Sequence, residues 1–238
     1  MRGYTHEGST PSLGISKMIQ SPQFNWSPEL AYAVGLITTD GNLSKDGRHI
    51  DFTSSDLQLI RTFKKCLFLN NRVGRKYGSF ADTISYRLQF SHVKLYRWLL
   101  KIGLTPNKTF NLGKINVPRR YFRDFLRGHL DGDGSIVTYT DRYMKYKGTR
   151  YKYQRLYLTF YSSSPKHIEW LQSTIENFFN FKGSLTNWKH KNRKRPLWKL
   201  RFAKNDSLKL LSWIYYKANL PCLHRKRKIA ERFIKKCL

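Results

Sequence analysis

Two stretches of the chain, SPELAYAVGLITTDGNLS (27–44) and a run ending FLRGHLDGDGSI (125–136), superimpose without gaps when Asp40 is laid on Asp133. Gly35 then meets Gly128, Gly41 meets Gly134 and Leu43 meets Ile136. An internal duplication constrains the fold more than composition does, because the architecture has to be built twice. In both copies the apolar residues follow helical spacing, Leu30, Ala33, Val34 and Ile37 in one and Phe122, Phe125, Leu126 and Leu130 in the other. Ser27-Pro28-Glu29 reads as an N-cap, a proline at the first helical position and an acid that suits the helix dipole. Val117-Pro118 is the matching start signal in the second copy. Each helix stops at Asp-Gly.

The repetition continues downstream. HIDFTSSDLQLIRTFKKCL (49–67) parallels LTFYSSSPKHIEWLQSTI (158–175), each a strand, a Ser-rich turn and an amphipathic helix. Alternating strands follow at 83–91 and 196–204, then closing helices in HVKLYRWLLKIGL and NDSLKLLSWIYYKANL. Basic knots end the halves, around Lys108 and around LHRKRK with Lys226. The division is a polar tail (1–25), a first repeat (26–118) and a second (119–238). The segments 141–155 and 187–196, rich in basic and aromatic residues, read as loops.

An Asp at a helix C-terminus faces the negative end of the dipole, at a cost of ~0.3–1 kcal/mol. Two such ends brought together add like-charge repulsion. A divalent cation resolves the conflict, and helix ends also expose carbonyl oxygens of the kind that Mg²⁺ accepts alongside water. Gly35 and Gly128 are small enough to let the two helices approach.

The chain has 45 Lys and Arg against 15 Asp and Glu, a net charge of +30. Such an excess points to a polyanion, and the spread of the cations along the chain favours nucleic acid over a membrane surface. Residues 1–118 carry 16 basic and 7 acidic residues, a net +9; residues 119–238 carry 29 and 8, a net +21. The second half is therefore the stronger candidate for gripping phosphate. Three cysteines without CxxC spacing suggest neither a disulfide framework nor a zinc finger. No stretch approaches the length of a membrane span, and the first 24 residues have no apolar signal core, so an intracellular setting is expected: a bacterial or archaeal cytoplasm or an organelle matrix.

AVGLITTDG (33–41) and LRGHLDGDG (126–134) resemble the LAGLIDADG motif, and the chain is similar to single-chain, two-repeat LAGLIDADG homing endonucleases from Trp26 to its end. The resemblance implies an α+β fold of duplicated αββαββα repeats: a pseudo-twofold saddle of two antiparallel sheets with the motif helices packed at the centre. It implies a monomer that hydrolyses both strands of a long double-stranded DNA site, leaving 3′ overhangs, with Mg²⁺ (or Mn²⁺ or Ca²⁺) and no small-molecule cofactor. An intron-encoded reading frame is the expected setting. An RNA maturase and a non-catalytic DNA-binding regulator are the rival readings on the same fold.

Carried over residue by residue, the resemblance makes Asp40 and Asp133 the metal ligands, with the carbonyls of Thr39 and Gly132 beside them. It makes Lys108 and Lys226 the basic residues near the phosphates. Asp51 is the polar residue at a strand end in the first half, with Thr159 or Tyr161 in the second. Asp131 falls at the motif's earlier acidic position and is not assigned as the main ligand. His129 replaces an apolar residue and is expected to be an interface histidine. The DNA-contacting residues are expected to be Lys45, Arg48, Arg75, Lys76, Arg87 and Gln89 in the first half. In the second they are Arg155, Tyr157, Thr159, Tyr161, Lys189, Arg193, Lys194, Arg195, Lys199 and Arg201. Of these, the polar positions of 83–91, 156–162 and 198–202 alternate with apolar ones, as a sheet with one buried and one free face requires.

Overall fold

A computed structural model of the chain describes residues 24–77, 84–146, 149–189 and 195–237. The first half runs α1 (Pro28–Asp40), β1 (Gly41–Leu43), β2 (His49–Ser54), α2 (Leu57–Cys66), β3 (Val73–Tyr77), β4 (Ile84–Ser91) and α3 (Val93–Lys101). After a 3₁₀ turn (Arg119–Tyr121) the second repeats the order: α4 (Phe122–Gly132), β5 (Ser135–Tyr146), β6 (Thr149–Ser162), α5 (Pro165–Phe179), β7 (Ser184–Trp188), β8 (Leu197–Phe202) and α6 (Lys204–Ile214). A further helix, α7 (His224–Cys237), follows.

Local chemistry sets the helix starts. Ser27 Oγ accepts from the Leu30 N–H at 3.1 Å, with Pro28 in the first turn. Asp56 Oδ1 accepts from Gln58 N–H at 3.0 Å, and His92 Nδ1 from Leu95 N–H at 3.1 Å. Each supplies an acceptor to one of the four amide donors that a helix start leaves unpaired.

The sheets are four-stranded and antiparallel, ordered β1-β2-β4-β3 and β5-β6-β8-β7. Ile50, Phe52, Leu88 and Phe90 are buried on one face of the first, and Leu156, Leu158, Phe160, Leu200 and Phe202 on one face of the second. Helices α2 and α5 pack on these apolar faces. Each sheet therefore keeps its other face free.

Pairing registers tie the halves together. Asn42 faces Asp51, which faces Gln89; Ser135 faces Thr159, which faces Arg201. Thr159 is thus the counterpart of Asp51, which decides between the two residues that the sequence left open.

Two expectations need correction. The segment 141–155 is no loop: β5 and β6 extend through it as a long antiparallel hairpin, with a shift of register between Asp141 and Met144. The ladder runs from Ser135–Thr159 to Tyr146–Thr149, and β5 has 12 residues where β1 has 3. The basic run 224–228 is likewise no terminal knot but the first turns of α7. Its cations share the helix with the buried Ala230 and the half-buried Ile229, Phe233 and Ile234.

Each half also sends its exit segment onto the other. Ser164 Oγ donates to the Leu112 carbonyl and the His167 Nδ1–H donates to the Gly113 carbonyl at 2.8 Å, so the end of the first half lies on α5. Gln58 Nε2 donates to Cys222 O at 2.9 Å and its Oε1 accepts from His224 N–H at 3.0 Å, so the end of the second lies on α2.

Candidate active site

The centre is where α1 and α4 cross. A Cβ added to Gly35 would stand under 3.0 Å from the Phe125 carbonyl oxygen, and one on Gly128 would do the same to Tyr32 O. Backbone touches backbone here, and any side chain would force the helices apart. Close crossing brings the two C-terminal ends together. A Cβ on Gly132 would meet the Thr39 side chain and come within 3.1 Å of Asp40 Oδ2.

Asp40 and Asp133 therefore share one site. Burial, and then the Asp133 charge, push the Asp40 carboxyl up to about 7; Lys108 and Lys226 pull it back. Burial also raises Asp133, against the same two lysines. Both ammonium groups are pushed down to about 8 by burial, with nearby carboxylates opposing the shift. Lys108 Nζ donates to Thr39 O at 3.1 Å. Lys226 Nζ donates to Leu130 O at 2.6 Å, Gly134 O at 2.7 Å, Asp131 O at 2.9 Å and Gly132 O at 3.3 Å.

The donor set fits a hard divalent cation. Among the described residues no three His, Cys, Asp or Glu side chains gather as a metal cluster. What the site offers is two carboxylates in mutual repulsion plus helix-end carbonyls, a set that leaves room for water. Thr39 O and Gly132 O each already accept one lysine N–H, so each has one lone pair left.

A cavity of about 400 Å³ opens beside Asp133, lined by Thr38, Thr39, Lys108, His129, Tyr161 and His167 among others. His129 is buried at its wall, its Nε2 3.1 Å from that of His167. Because His167 gives its Nδ1–H to Gly113 O, its Nε2 accepts and His129 donates, which leaves His129 Nδ1 an acceptor with no partner among the described residues. Burial holds both rings neutral, His167 at about 4 and His129 well below its ordinary value. The His129 ring packs within the second half, against Phe125, Phe160 and His167, and not as the satisfied interface histidine expected.

Sequence reasoning missed the polar network on the far side of α4. Arg127 is fully buried, donating to Asp124 Oδ1, Ile214 O and Pro221 O, each at 2.8 Å. Asp131 Oδ2 accepts from Tyr32 O–H at 2.8 Å and Leu223 N–H at 2.7 Å, and burial raises its carboxyl to about 6. Asp131 thus fastens the segment before α7 and faces away from a ligand role. The i,i+3 spacing of Asp124 and Arg127 was visible, but it is equally the signature of a surface pair.

The outer sheet faces gather most of the residues expected at DNA, although Asp51 and Thr159 on them are buried. Gln89 and Arg87 leave the same face as Asp51, and Asp51 Oδ1 binds both Arg87 Nε at 2.8 Å and Arg87 Nη2 at 2.7 Å. Register puts Thr159, Tyr161, Tyr157 and Arg155 on one face with Lys199 and Arg201. Arg201 stacks over the Tyr157 ring at 3.8 Å, and Arg155 pairs with Asp141 at 3.0 Å. Lys45 and Arg48 stand exposed in the β1–β2 turn, Lys189 just beyond β7, and Arg195 over the Phe110 ring at 4.6 Å. Arg75 and Lys76 leave opposite faces: alternation sends Lys76 to the face of Ser85 and Arg87, and Arg75 to the other. Arg193 and Lys194 lie outside the described residues.

Two helices crossing on glycine, each running into an acid and followed by a sheet with a free polar face, give the chain the duplicated fold of single-chain LAGLIDADG homing endonucleases. Among similar solved structures are I-AabMI bound to uncleaved DNA (17% identity, 89% of this chain and 90% of that one, TM-score 0.56), I-LtrWI bound to target DNA (15%, 87% and 88%, 0.55) and I-SmaMI bound to uncleavable DNA (13%, 88% and 90%, 0.54). No protein-family model matches the chain, and no curated protein matches its sequence. Among the described residues no helix is long and apolar enough to cross a membrane.

Proposed function

We propose that the chain is a site-specific DNA endonuclease that hydrolyses both strands of a long duplex with the help of a divalent metal. The observation that carries this reading is the convergence of Asp40 and Asp133 between two buried lysines, at the seam between two polar sheet faces. Two carboxylates pressed together at helix ends are costly unless a cation joins them. A divalent metal held by Asp40 and Asp133 would supply Lewis acidity toward a phosphate and an activated water. The chain's own part is to hold the two acids in place, to offer lysine N–H groups to phosphate, and to seat the duplex across two sheets. β-Ribbons fit the major groove, where Gln and Arg can read base edges.

The test is a cleavage selection on a randomised duplex library with Mg²⁺ and with chelator. A recurrent cut sequence that disappears with chelator is the expected result. Asp40→Asn and Asp133→Asn should each abolish double-strand cleavage, while binding to the selected site stays within about tenfold, or ~1.4 kcal/mol. Wild-type cutting of both strands by either variant would remove that acid from the mechanism.

A further inference from the structure

Lys108 and Lys226 occupy matched places, yet they are held in different ways. An ammonium has three N–H donors. Four carbonyl oxygens lie within 3.3 Å of Lys226 Nζ, so all of its donors are committed. Those oxygens belong to the end of α4 and the turn after it, where carbonyls lack intrahelical partners and the dipole favours a cation. Among the described residues Lys108 Nζ has one such contact, to Thr39 O at 3.1 Å, and it faces the cavity shared with Asp133 and Tyr161. Two of its donors are left for a ligand. The neighbouring strand positions differ as well, Asp51 in the first half and Thr159 in the second.

We infer that the two lysines do different work: Lys108 meets a phosphate in the cleft beside Asp133, and Lys226 is a positioning residue that fixes the end of α4 and with it Asp133. The inference rests on the endonuclease reading and adds that the two scissile phosphates are inequivalent, since only the one at the Lys108 cleft receives a lysine. The strands are then cut at different rates, and a nicked duplex accumulates.

The test uses the selected duplex labelled on either strand, together with thermal unfolding of the protein without DNA. Wild type should cut one strand at least about fivefold faster than the other. Lys108→Met should slow that strand by about 100-fold and leave the other within about threefold. Lys226→Met should lower the melting temperature by roughly 5–10 °C and slow both strands together. Lys226→Arg should restore neither, because a planar guanidinium cannot direct its donors to carbonyls that converge on one point. Equal strand rates in wild type, equal slowing of both strands by Lys108→Met, or rescue by Lys226→Arg would each overturn the inference. If Lys226→Met does not fold, the Lys108→Met and Lys226→Arg arms decide. If the protein cuts no duplex, the endonuclease reading fails, and the unfolding arm still judges the cage: a melting temperature unchanged by Lys226→Met would refute it.

Discussion

Ala31, Val34 and Thr38 line the motif helix of the first half at the places where the second has Asp124, Arg127 and Asp131. One helix is held by apolar contact; its counterpart is held by a buried ion pair and a buried carboxylate. Both exit segments reach the opposite half, but the second is also bound to its own motif helix. The second half must fasten Ile214, Pro221 and Leu223 back onto its own motif helix, and those groups present carbonyls and an N–H, which only polar side chains can satisfy. Duplication preserved the crossing and the terminal acids, while the chemistry behind them followed what each copy has to hold.

The sharpest way to break this comparison is at that pair. Arg127→Met leaves Asp124 buried and uncompensated, and should cost about 3–5 kcal/mol in urea unfolding. Val34→Ala, the matched change in the first half, should cost about 2 kcal/mol or less. Joining Asp124→Leu to Arg127→Met should recover only the part of the loss that the stranded charge causes, because Ile214 O and Pro221 O still lack their donor. Equal losses in the two halves would show that the ion pair has no special weight.

At the crossing the halves should instead agree. Gly35→Ala and Gly128→Ala both press a methyl into a backbone carbonyl, and each should destabilise by roughly 3 kcal/mol. A tolerant position on one side would mean that the helices can slide apart there.

Gln89 and Arg201 sit at one register position in the two sheets. Alanine at either should remove ~1–3 kcal/mol of discrimination at one base pair, measured by cleavage of every single-base variant of the target. The two affected positions should fall in opposite half-sites. Uniform weakening over all variants would mean phosphate contact instead.

The smallest effect concerns the central acids. An acid whose folded pKa is raised loses native stability as pH climbs from its unfolded value of 3.8 through about 7, where the proton has to leave. In chelator, Asp40→Asn should therefore match wild type near pH 4 and melt a few degrees higher at pH 7. The lysines titrate above this window, at about 8, so they leave the comparison clear. Identical curves for the two proteins would mean that Asp40 ionises without strain.

Much of this architecture is legible in the sequence, because the same period and stop signals occur twice: α1 and α4, the four alternating strands around them, and the acids at the helix ends. What escapes is what depends on distant partners. Arg127 is buried only because Ile214 and Pro221 come to meet it, and nothing local announces that. The cations of 224–228 hide a helix whose apolar side becomes evident only with Ile229, Ala230, Phe233 and Ile234. The charged residues of 141–155 conceal strands whose pairing begins before them, at Ser135 and Thr159. Lysine roles are equally hidden, since Lys108 and Lys226 differ in the carbonyls around them.

The exchange of exit segments bears on how such a chain comes apart. The bonds Ser164–Leu112 and His167–Gly113 close intervals of 52 and 54 residues, and Gln58–Cys222 and His224–Gln58 close 164 and 166. Contacts of such high order form late and link both repeats in one folding unit. Despite its modular ancestry in sequence, the chain should melt in one all-or-none transition, with far-ultraviolet dichroism and tryptophan fluorescence coincident in denaturant. Neither repeat expressed alone should reach the stability it has beside the other, because each would lack the strap that the other supplies.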